Sequence, residues 1–230
     1  CDLGGRVDVS SQINEHATQS ATAPVFTDLG LAPGWVNILA EQGYKRVCDA
    51  SDVKMMVGGI PLKRPVGPLR YFMTWSLDGL LNEYRDDCEV LIDGNTTRRM
   101  QQRGVRNCVY KTLRWVGHHQ LIDFFMNKCK FDDDTLKSLL ETSAEYETCK
   151  DDVVVVMVEV KNDSGLTWKR EYVVENDETF TAMQKSTAFS ISSVASLMAQ
   201  GRFDTLSRVL EYSDVPGDEF TDILDGLLNK

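Results

Sequence analysis

The stretch that most constrains the fold is the run "DVVVVMVEV", residues 152–160. Its β-branched valines favour an extended strand over a helix, and it is far shorter than the roughly 18 to 20 apolar residues of a membrane-spanning helix. Because apolar and polar residues do not alternate in it, we expect a central strand that is buried on both faces. The turn-forming residues 162–165 then predict a hairpin with a second strand.

The remaining pattern predicts a sheet with helices packed against it. We expect a helix over "SSQINEHATQSA" with Ser10 or Ser11 as its cap, between a strand end at residues 1–5 and a short strand at "PVFTDLG". Further strands are predicted at "DVKMMVGGI", "PLRYFMTW", "CEVLIDG" and "CVYKTLRWV". Further helices are predicted at "WVNILAEQGY" with a stop at Gly43, "HHQLIDFFMNK", "DDTLKSLLETS", "STAFSISSVASLMAQ" and "PGDEFTDILDGLL".

This order predicts a fold class of α/β plus α+β. Residues 1–48 read as the closing part of a nucleotide-binding, Rossmann-like domain, so we expect the sequence to begin inside an element. Residues 49–230 read as a mixed-sheet domain with helices packed on it.

Composition excludes several classes of function. The 230 residues are 42% hydrophobic and carry a formal charge of −10 with a pI near 4.8. Phosphate backbones and anionic membranes need concentrated Lys and Arg, and the one basic cluster, Arg98 to Arg106, is diluted by acids. The six cysteines are widely spaced, without a metal-ligand pattern, which is typical of reduced thiols. We therefore expect a cytoplasmic protein with a small-molecule partner and no bound metal.

The first candidate site is the loop "FTDLGLAPGWVN", residues 26–37. In open α/β sheets ligands bind beyond the carboxyl ends of strands, where Asp28 and the turn 30–34 are expected. Gly34 has no side chain to block a ligand, and the free amides of the three residues that follow it would attract a carboxylate or phosphate. The glycines are equally well explained by a tight turn.

The second candidate site is "YFMTWSLDGLLNEY", residues 71–84. Ser76 and Asp78 fit helix capping, and the aromatic residues fit a buried strand face. Thr74, Asn82 and Glu83 are not explained by capping, which favours a pocket for a polar, multiply charged small molecule.

The third candidate is "TLRWVGHH", residues 112–119. His118 and His119 open a helix, where histidine is more often capping or half-buried than a metal ligand. Arg114 has the geometry to clamp a carboxylate, although an ion pair with a neighbouring acid is more usual. Hydrolase signatures such as G-x-S-x-G and H-E-x-x-H are absent from the sequence.

Taken in order, these motifs resemble the saccharopine dehydrogenase-like oxidoreductases, which include saccharopine reductase and carboxynorspermidine dehydrogenase. The resemblance rests on "DLGG", "GLAPGWVN", "VGGIP", "GPLRYFMTWSLDGLLNEY" and "TLRWVGHH", and extends to the closing helices "STAFSISSVASLMAQG" and "VPGDEFTDILDGLL". It covers nearly the whole chain.

The resemblance implies an enzyme that uses NADP or NAD to move hydride to or from the carbon-nitrogen bond of a secondary amine or imine, in lysine metabolism or polyamine biosynthesis. Carried over by position, it implies two groups of contacts in one crevice. The cofactor side is Asp28, Pro33, Gly34 and Asn37. The substrate side is Tyr71, Thr74, Trp75, Ser76, Asn82 and Glu83. The proton-transfer residue is not identified.

Three departures from the family pattern matter. The glycine-rich G-x-G-x-x-G motif is absent, the stretch between "LIDG" and "TLRW" is short, and Gly67 stands where asparagine is common. The alternative function is therefore a non-catalytic interaction or regulatory module that retains the fold. The resemblance also implies a homodimer through the sheet, although the strand at 153–160 fits a monomer core equally well.

Overall fold

A computed structural model describes residues 1–4, 7–65, 67, 69–71, 75–85, 105–143 and 151–229. The first half contains α1 (Val7–Ser20), α2 (Trp35–Arg46), β1 (Ala50–Pro61), α3 (Leu77–Arg85) and β2 (Asn107–Thr112). The second half contains α4 (His118–Asp123), which continues as a π-helical turn (Phe124–Lys128), then α5 (Asp133–Ser143), β3 (Asp152–Asn162), β4 (Thr167–Glu175), α6 (Ala182–Ala199), a 3-10 turn (Tyr212–Asp214) and α7 (Gly217–Leu228).

Four strands form one mixed sheet in the order β2-β1-β3-β4, with β1 and β2 parallel and the other pairs antiparallel. The predictions of a central strand at residues 152–160 and of a hairpin are confirmed, because β3 lies between two partners and is joined to β4. Burial on both faces is wrong, since Val155, Met157 and Glu159 are only half-buried. The β3 valines at 154, 156, 158 and 160 are fully buried. They face α2 and α6 in the main hydrophobic core, and α7 packs against these two helices.

A second hydrophobic cluster lies apart from the main core. It joins α3, α4 and α5 through Leu80, Ile122, Leu136 and Leu140, all nearly inaccessible to solvent. The turn before α3 adds Tyr71 to the same cluster. This small cluster positions two of the three candidate segments, because residues 71–84 and 112–119 both pack into it or beside it.

Several predicted elements differ from the structure. Residues 1–4 and 24–30 hold no regular strand, and Val25 and Gly30 form only isolated bridges. They are nevertheless connected, since the Asp2 amide donates to the Phe26 carbonyl over 2.8 Å. Helix α1 begins at Val7, before the expected cap, because Ser10 lies inside the helix and its hydroxyl donates to Asp28.

Two further boundaries depend on tertiary packing. Helix α2 continues past Gly43 to Arg46, since Gly43 leaves room for the Trp168 ring: a Cβ there would lie 2.4 Å from that ring. The strand predicted at 68–75 is wrong for its described residues, because Arg70 has a φ of 51° and breaks the extended backbone. The strand predicted at 88–94 lies outside the described residues.

The described segments contain neither a helix suited to cross a membrane nor a cluster suited to bind a metal ion. None of their helices combines the length and apolar character that a bilayer crossing needs. They contain no group of three His, Cys, Asp or Glu side chains arranged to hold a metal ion. Of the cysteines there, Cys108 is buried and Cys1, Cys48 and Cys129 are exposed, all as free thiols.

Candidate functional site

The second and third candidate segments meet in one polar cluster. We call it the histidine cluster and define it as Tyr71, Glu83, Tyr84, Arg114 and His118. Its centre is the His118 ring, whose centroid lies 4.9 Å from the Tyr71 ring and 5.9 Å from the Tyr84 ring. The cluster joins α3 to the loop between β2 and α4.

Hydrogen bonding fixes the protonation of His118, which is 1% exposed. Its Nδ1 lies 2.7 Å from the Leu69 carbonyl oxygen, which only accepts, so Nδ1 carries a hydrogen. Burial lowers the pKa of His118, and the positive charge of Arg114 lowers it further. The ring is therefore neutral near pH 7, and its Nε2 accepts a hydrogen bond from the Tyr84 hydroxyl over 2.5 Å.

Tyr84 keeps its proton in this arrangement. Burial raises the pKa of its hydroxyl well above the ordinary value of 10.0, an effect that Arg114 only partly opposes. The raised pKa of Tyr84 and the lowered pKa of His118 both favour the neutral forms of the hydroxyl and the imidazole. The pair thus provides a tyrosine oxygen of fixed orientation, with its hydrogen directed at His118.

The buried His118 predicts a pH-dependent stability. Because its folded pKa lies below the unfolded value of 6.5, it contributes stability that is present above pH 6.5 and lost as the pH falls through the folded pKa. We expect the free energy of unfolding to fall by up to about 1.4 kcal/mol per pH unit in that window. Denaturant titrations of the wild type and His118→Gln at several pH values measure this contribution as a difference.

The other two histidines of the chain are the matched controls. His16 and His119 are both exposed, so His16→Gln and His119→Gln should retain most of the wild-type pH dependence. A His118→Gln variant with the same pH dependence as the wild type would show that the ring is not held neutral by burial.

Arg114 is an ion-pair residue, as the more usual interpretation expects, but it is not at the surface. Its Nη2 lies 2.7 Å from Glu83 Oε2, with only 10% of the Arg114 side chain exposed and 30% of the Glu83 side chain. Its Nη1 donates to the Leu113 carbonyl, and its guanidinium carbon lies 5.4 Å from the centroid of the Tyr71 ring. Both terminal nitrogens of Arg114 therefore have partners within the protein, whereas its buried Nε has no hydrogen-bond partner among the described residues.

The predicted substrate-side residues have diverse surroundings. Tyr71 is buried and Trp75 is half-buried, with its ring against Gly79. The exposed Ser76 accepts a hydrogen bond from the Gly79 amide over 3.2 Å, which is helix capping. Asn82 and Glu83 lie on the solvent side of α3. Thr74 lies outside the described residues.

The predicted cofactor-side loop is closed by its own hydrogen bonds. The amides of Trp35, Val36 and Asn37 donate to the carbonyls of Gly30, Leu31 and Gly34 over 2.9 to 3.2 Å. The Asn37 side chain accepts from the Gly34 amide over 3.0 Å. The expectation of free amides at this helix start is therefore wrong, since each of them already has a backbone acceptor.

Gly34 and Asp28 also have structural partners. A Cβ on Gly34 would lie 2.1 Å from the Gly30 carbonyl oxygen, so the absent side chain makes room for the turn itself. Asp28 accepts from the Ser10 hydroxyl over 2.6 Å, and its carbonyl accepts from Tyr212. Pro33 is exposed and follows a cis peptide bond. The backbone and side-chain groups of Gly34 and Asp28 thus have partners in the turn and its neighbours, while their place on the cofactor side stays a prediction.

The two predicted groups pack into different hydrophobic clusters. The helix start at Trp35 belongs to the main core, whereas Tyr71 and Leu77 belong to the second cluster. Their convergence on one crevice stays a prediction. Sequence reasoning placed His118 correctly at a helix start but did not find its pairing with Tyr84, because no local pattern joins residues 34 positions apart.

Known proteins match this chain in sequence over part of its length and in fold over most of it. Residues 30–108 match the family model of the saccharopine dehydrogenase C-terminal domain, and this range contains both helix starts. This chain is similar to that domain over about a third of its length. The resemblance drawn from its motifs is thereby confirmed.

Two solved structures share the fold of this chain. The first is the apo saccharopine dehydrogenase (L-Glu forming) of Saccharomyces cerevisiae, with a TM-score of 0.67 and 12% identity over 97% of this chain and 76% of that chain. The second is the homospermidine synthase of Legionella pneumophila in complex with NAD, with a TM-score of 0.59 and 10% identity over 97% of this chain and 66% of that chain. At these identities the likeness concerns the fold alone.

Proposed function

We propose that this chain forms the C-terminal part of an NAD(P)-dependent oxidoreductase that acts on the carbon-nitrogen bond of a secondary amine or imine, such as saccharopine or carboxynorspermidine. The observation that carries the proposal is the family match over residues 30–108. The exposed polar side chains of Asn82 and Glu83 on α3 support it, since a substrate with both amine and carboxylate groups needs charged and hydrogen-bonding partners.

The substrate side of the proposed site is α3 and the loop before it. Asn82 and Glu83 supply exposed polar groups there, and the Tyr84 and His118 pair fixes the helix beside them. A nicotinamide cofactor supplies the hydride when it is bound. We assign none of its phosphate contacts to the loop 28–37, and the place of Pro33 and Asn37 beside the nicotinamide stays a prediction.

Domain organisation and assembly are part of the proposal. We keep residues 1–48 as the closing part of a Rossmann-like domain, 49–230 as the second domain, and a homodimer through the sheet. The sheet supports the dimer: α2 and α6 pack on one face, and the opposite face carries half-buried apolar side chains that belong to neither hydrophobic cluster. These are Met56, Ile60, Val109, Val155 and Met157.

A hydride-transfer assay tests the function. The full-length protein is mixed with NADH or NADPH, a diamine or glutamate, and an aldehyde such as aspartate semialdehyde or aminoadipate semialdehyde. We expect the nicotinamide absorbance to fall with at least one pairing. Oxidation with none of them would contradict the proposed enzyme.

Two variants separate binding from folding. Asn82 is exposed, so Asn82→Ala should raise the Michaelis constant of the amine about tenfold while changing the free energy of unfolding by less than about 0.5 kcal/mol. Ser76→Ala should cost about 1 kcal/mol of stability, because the Gly79 amide loses its acceptor. Gln19→Ala, exposed on α1, is the control, and an Asn82 variant that matched it in kinetics would remove Asn82 from the site.

A further inference from the structure

Arg70 has a backbone conformation that is uncommon for its residue type. Its φ is 51°, in the left-handed region that favours glycine, and its amide donates to the Gly67 carbonyl over 3.0 Å. An arginine in this conformation costs free energy and persists where other contacts hold it in place. The side chain of Arg70 is therefore expected to make contacts that fix the turn before α3.

The Arg70 guanidinium lies on the loop that leads into α4. Its Nη1 donates to the Val116 carbonyl over 2.5 Å. The next residue, Gly117, has a φ of 100°, and a Cβ there would lie 2.9 Å from the guanidinium carbon of Arg70. The missing side chain of Gly117 thus makes room for the guanidinium. We call this contact the Arg70 clasp and define it as Arg70, Val116 and Gly117.

The clasp holds the end of the loop after β2. The ring nitrogen of Trp115 donates to the Pro61 carbonyl over 3.1 Å, which ties the middle of the loop to β1. Val116 is 77% exposed, so burial of its side chain does not hold the next part of the loop. The hydrogen bond from Arg70 supplies a fixed contact there.

The clasp and His118 join the same two segments. His118 Nδ1 donates to the Leu69 carbonyl over 2.7 Å, directly beside the bond from Arg70 to Val116. These two neighbouring bonds run in opposite directions and hold the turn before α3 against the start of α4. A shift of the loop would bend or break the His118 bond, and it would turn Nε2 away from the Tyr84 hydroxyl.

We propose that Arg70 is a positioning residue for the proposed reaction. Through the clasp it holds the start of α4, which sets the orientation of the His118 ring and of the Tyr84 hydroxyl bonded to it. The inference rests on the proposed function and adds to it a residue that acts from outside the substrate side.

The first measurement is independent of activity. Full-length protein with isotope-labelled histidine is studied by nuclear magnetic resonance near neutral pH, and His118→Gln assigns the His118 signals. We expect the wild type to show a single His118 tautomer with its proton on Nδ1. Arg70→Gly removes the guanidinium, while glycine suits the left-handed backbone, so the denaturation midpoint should not fall but a second His118 tautomer should appear.

A conservative variant tests whether the donor matters. Arg70→Lys keeps a charged donor on a long side chain, so it should restore the wild-type His118 spectrum at least in part. An Arg70→Gly spectrum identical to that of the wild type, or no restoration by lysine, overturns the proposal.

Gly117→Ala tests the clasp from the other side. The added Cβ displaces the guanidinium, so this variant should change the His118 spectrum in the same direction as Arg70→Gly, and it serves if Arg70→Gly fails to fold. In the Arg70→Gly background the same alanine should add less change than it does in the wild type. Equal changes in the two backgrounds would show that Gly117 acts without Arg70 and would overturn the clasp.

Kinetics connect the clasp to the proposed site. In the hydride-transfer assay, Arg70→Gly should lower kcat/KM at least about tenfold, because a misplaced site residue slows the reaction, and Arg70→Lys should recover part of the loss. A changed His118 spectrum with unchanged kinetics overturns the positioning role. Wild-type protein that oxidises no nicotinamide with any pairing contradicts the proposed enzyme, and the His118 spectrum alone then decides the clasp.

Lys130→Gly is the matched control. Lys130 has a φ of 59°, close to that of Arg70, but it is exposed and lies outside the histidine cluster. Its replacement makes the same backbone change without removing a clasp. The His118 spectrum and the kinetics of Lys130→Gly should stay at wild-type values, and a change as large as that of Arg70→Gly would contradict the specific role of Arg70.

Discussion

Replacing Gly34 by alanine is expected to lower the free energy of unfolding by about 3–5 kcal/mol. The backbone at Gly34 has a φ of 129°, which L-residues rarely adopt. The added Cβ would lie 2.1 Å from the Gly30 carbonyl oxygen and 2.6 Å from the Gly30 nitrogen. Both are backbone atoms, so the turn before α2 has to move. Equilibrium denaturation of the purified variant measures the loss.

Gly165→Ala is the matched control for this substitution. Gly165 also has a positive φ, 89°, but a Cβ there would meet no atom within 4 Å. Its replacement should cost only the backbone strain, about 1–2 kcal/mol. If Gly34→Ala proved no more destabilising than Gly165→Ala, the turn would have room for a side chain, and the interpretation of Gly34 as a gap for a ligand would regain its basis.

Asp152→Ala is expected to destabilise the protein by about 3–5 kcal/mol. Asp152 is fully buried at the start of β3, and its carboxylate accepts from the amides of Ala182 and Met183 over 2.6 and 2.9 Å. Alanine would leave two amides of the first turn of α6 buried without an acceptor. Asp152→Asn keeps one acceptor oxygen and should cost less, about 1–3 kcal/mol.

Asp177 provides the control for burial. Its carboxylate also accepts from two backbone amides, those of Thr179 and Phe180, but 47% of its side chain is exposed. Water can replace the lost acceptor there, so Asp177→Ala should cost less than about 1.5 kcal/mol. Thermal and denaturant unfolding of the variants decide the matter, and equal losses at the two positions would contradict the role assigned to burial.

Much of the architecture was predictable from local pattern. The valine run of β3, the turn residues 162–165 and the acids that open α5 each specify an element through interactions within a few residues. Errors arose where a distant partner overrides the local preference. Gly43 reads as a helix stop, yet it lies inside α2 because the Trp168 ring from β4 occupies its open side.

In the candidate site, too, local pattern located the segments and distant partners decided their contacts. Sequence motifs located the segments 71–84 and 112–119, and both enter the histidine cluster. They did not show that Arg114 is covered and that Glu83 is its partner, because exposure depends on how α3 packs against the loop after β2. The amides after Gly34 were expected to be free, but the turn that bends back to Gly30 supplies their acceptors.

The sequence by itself determined most of the helices, the central place of β3 and the resemblance to the saccharopine dehydrogenase-like proteins, because these depend on short-range pattern and on motifs in a fixed order. Only the tertiary structure decided which polar groups are already paired inside the protein and which face solvent. Hydrogen bonding and burial are set by neighbours far apart in the chain, as between Tyr84 and His118 or between Asp152 and the start of α6.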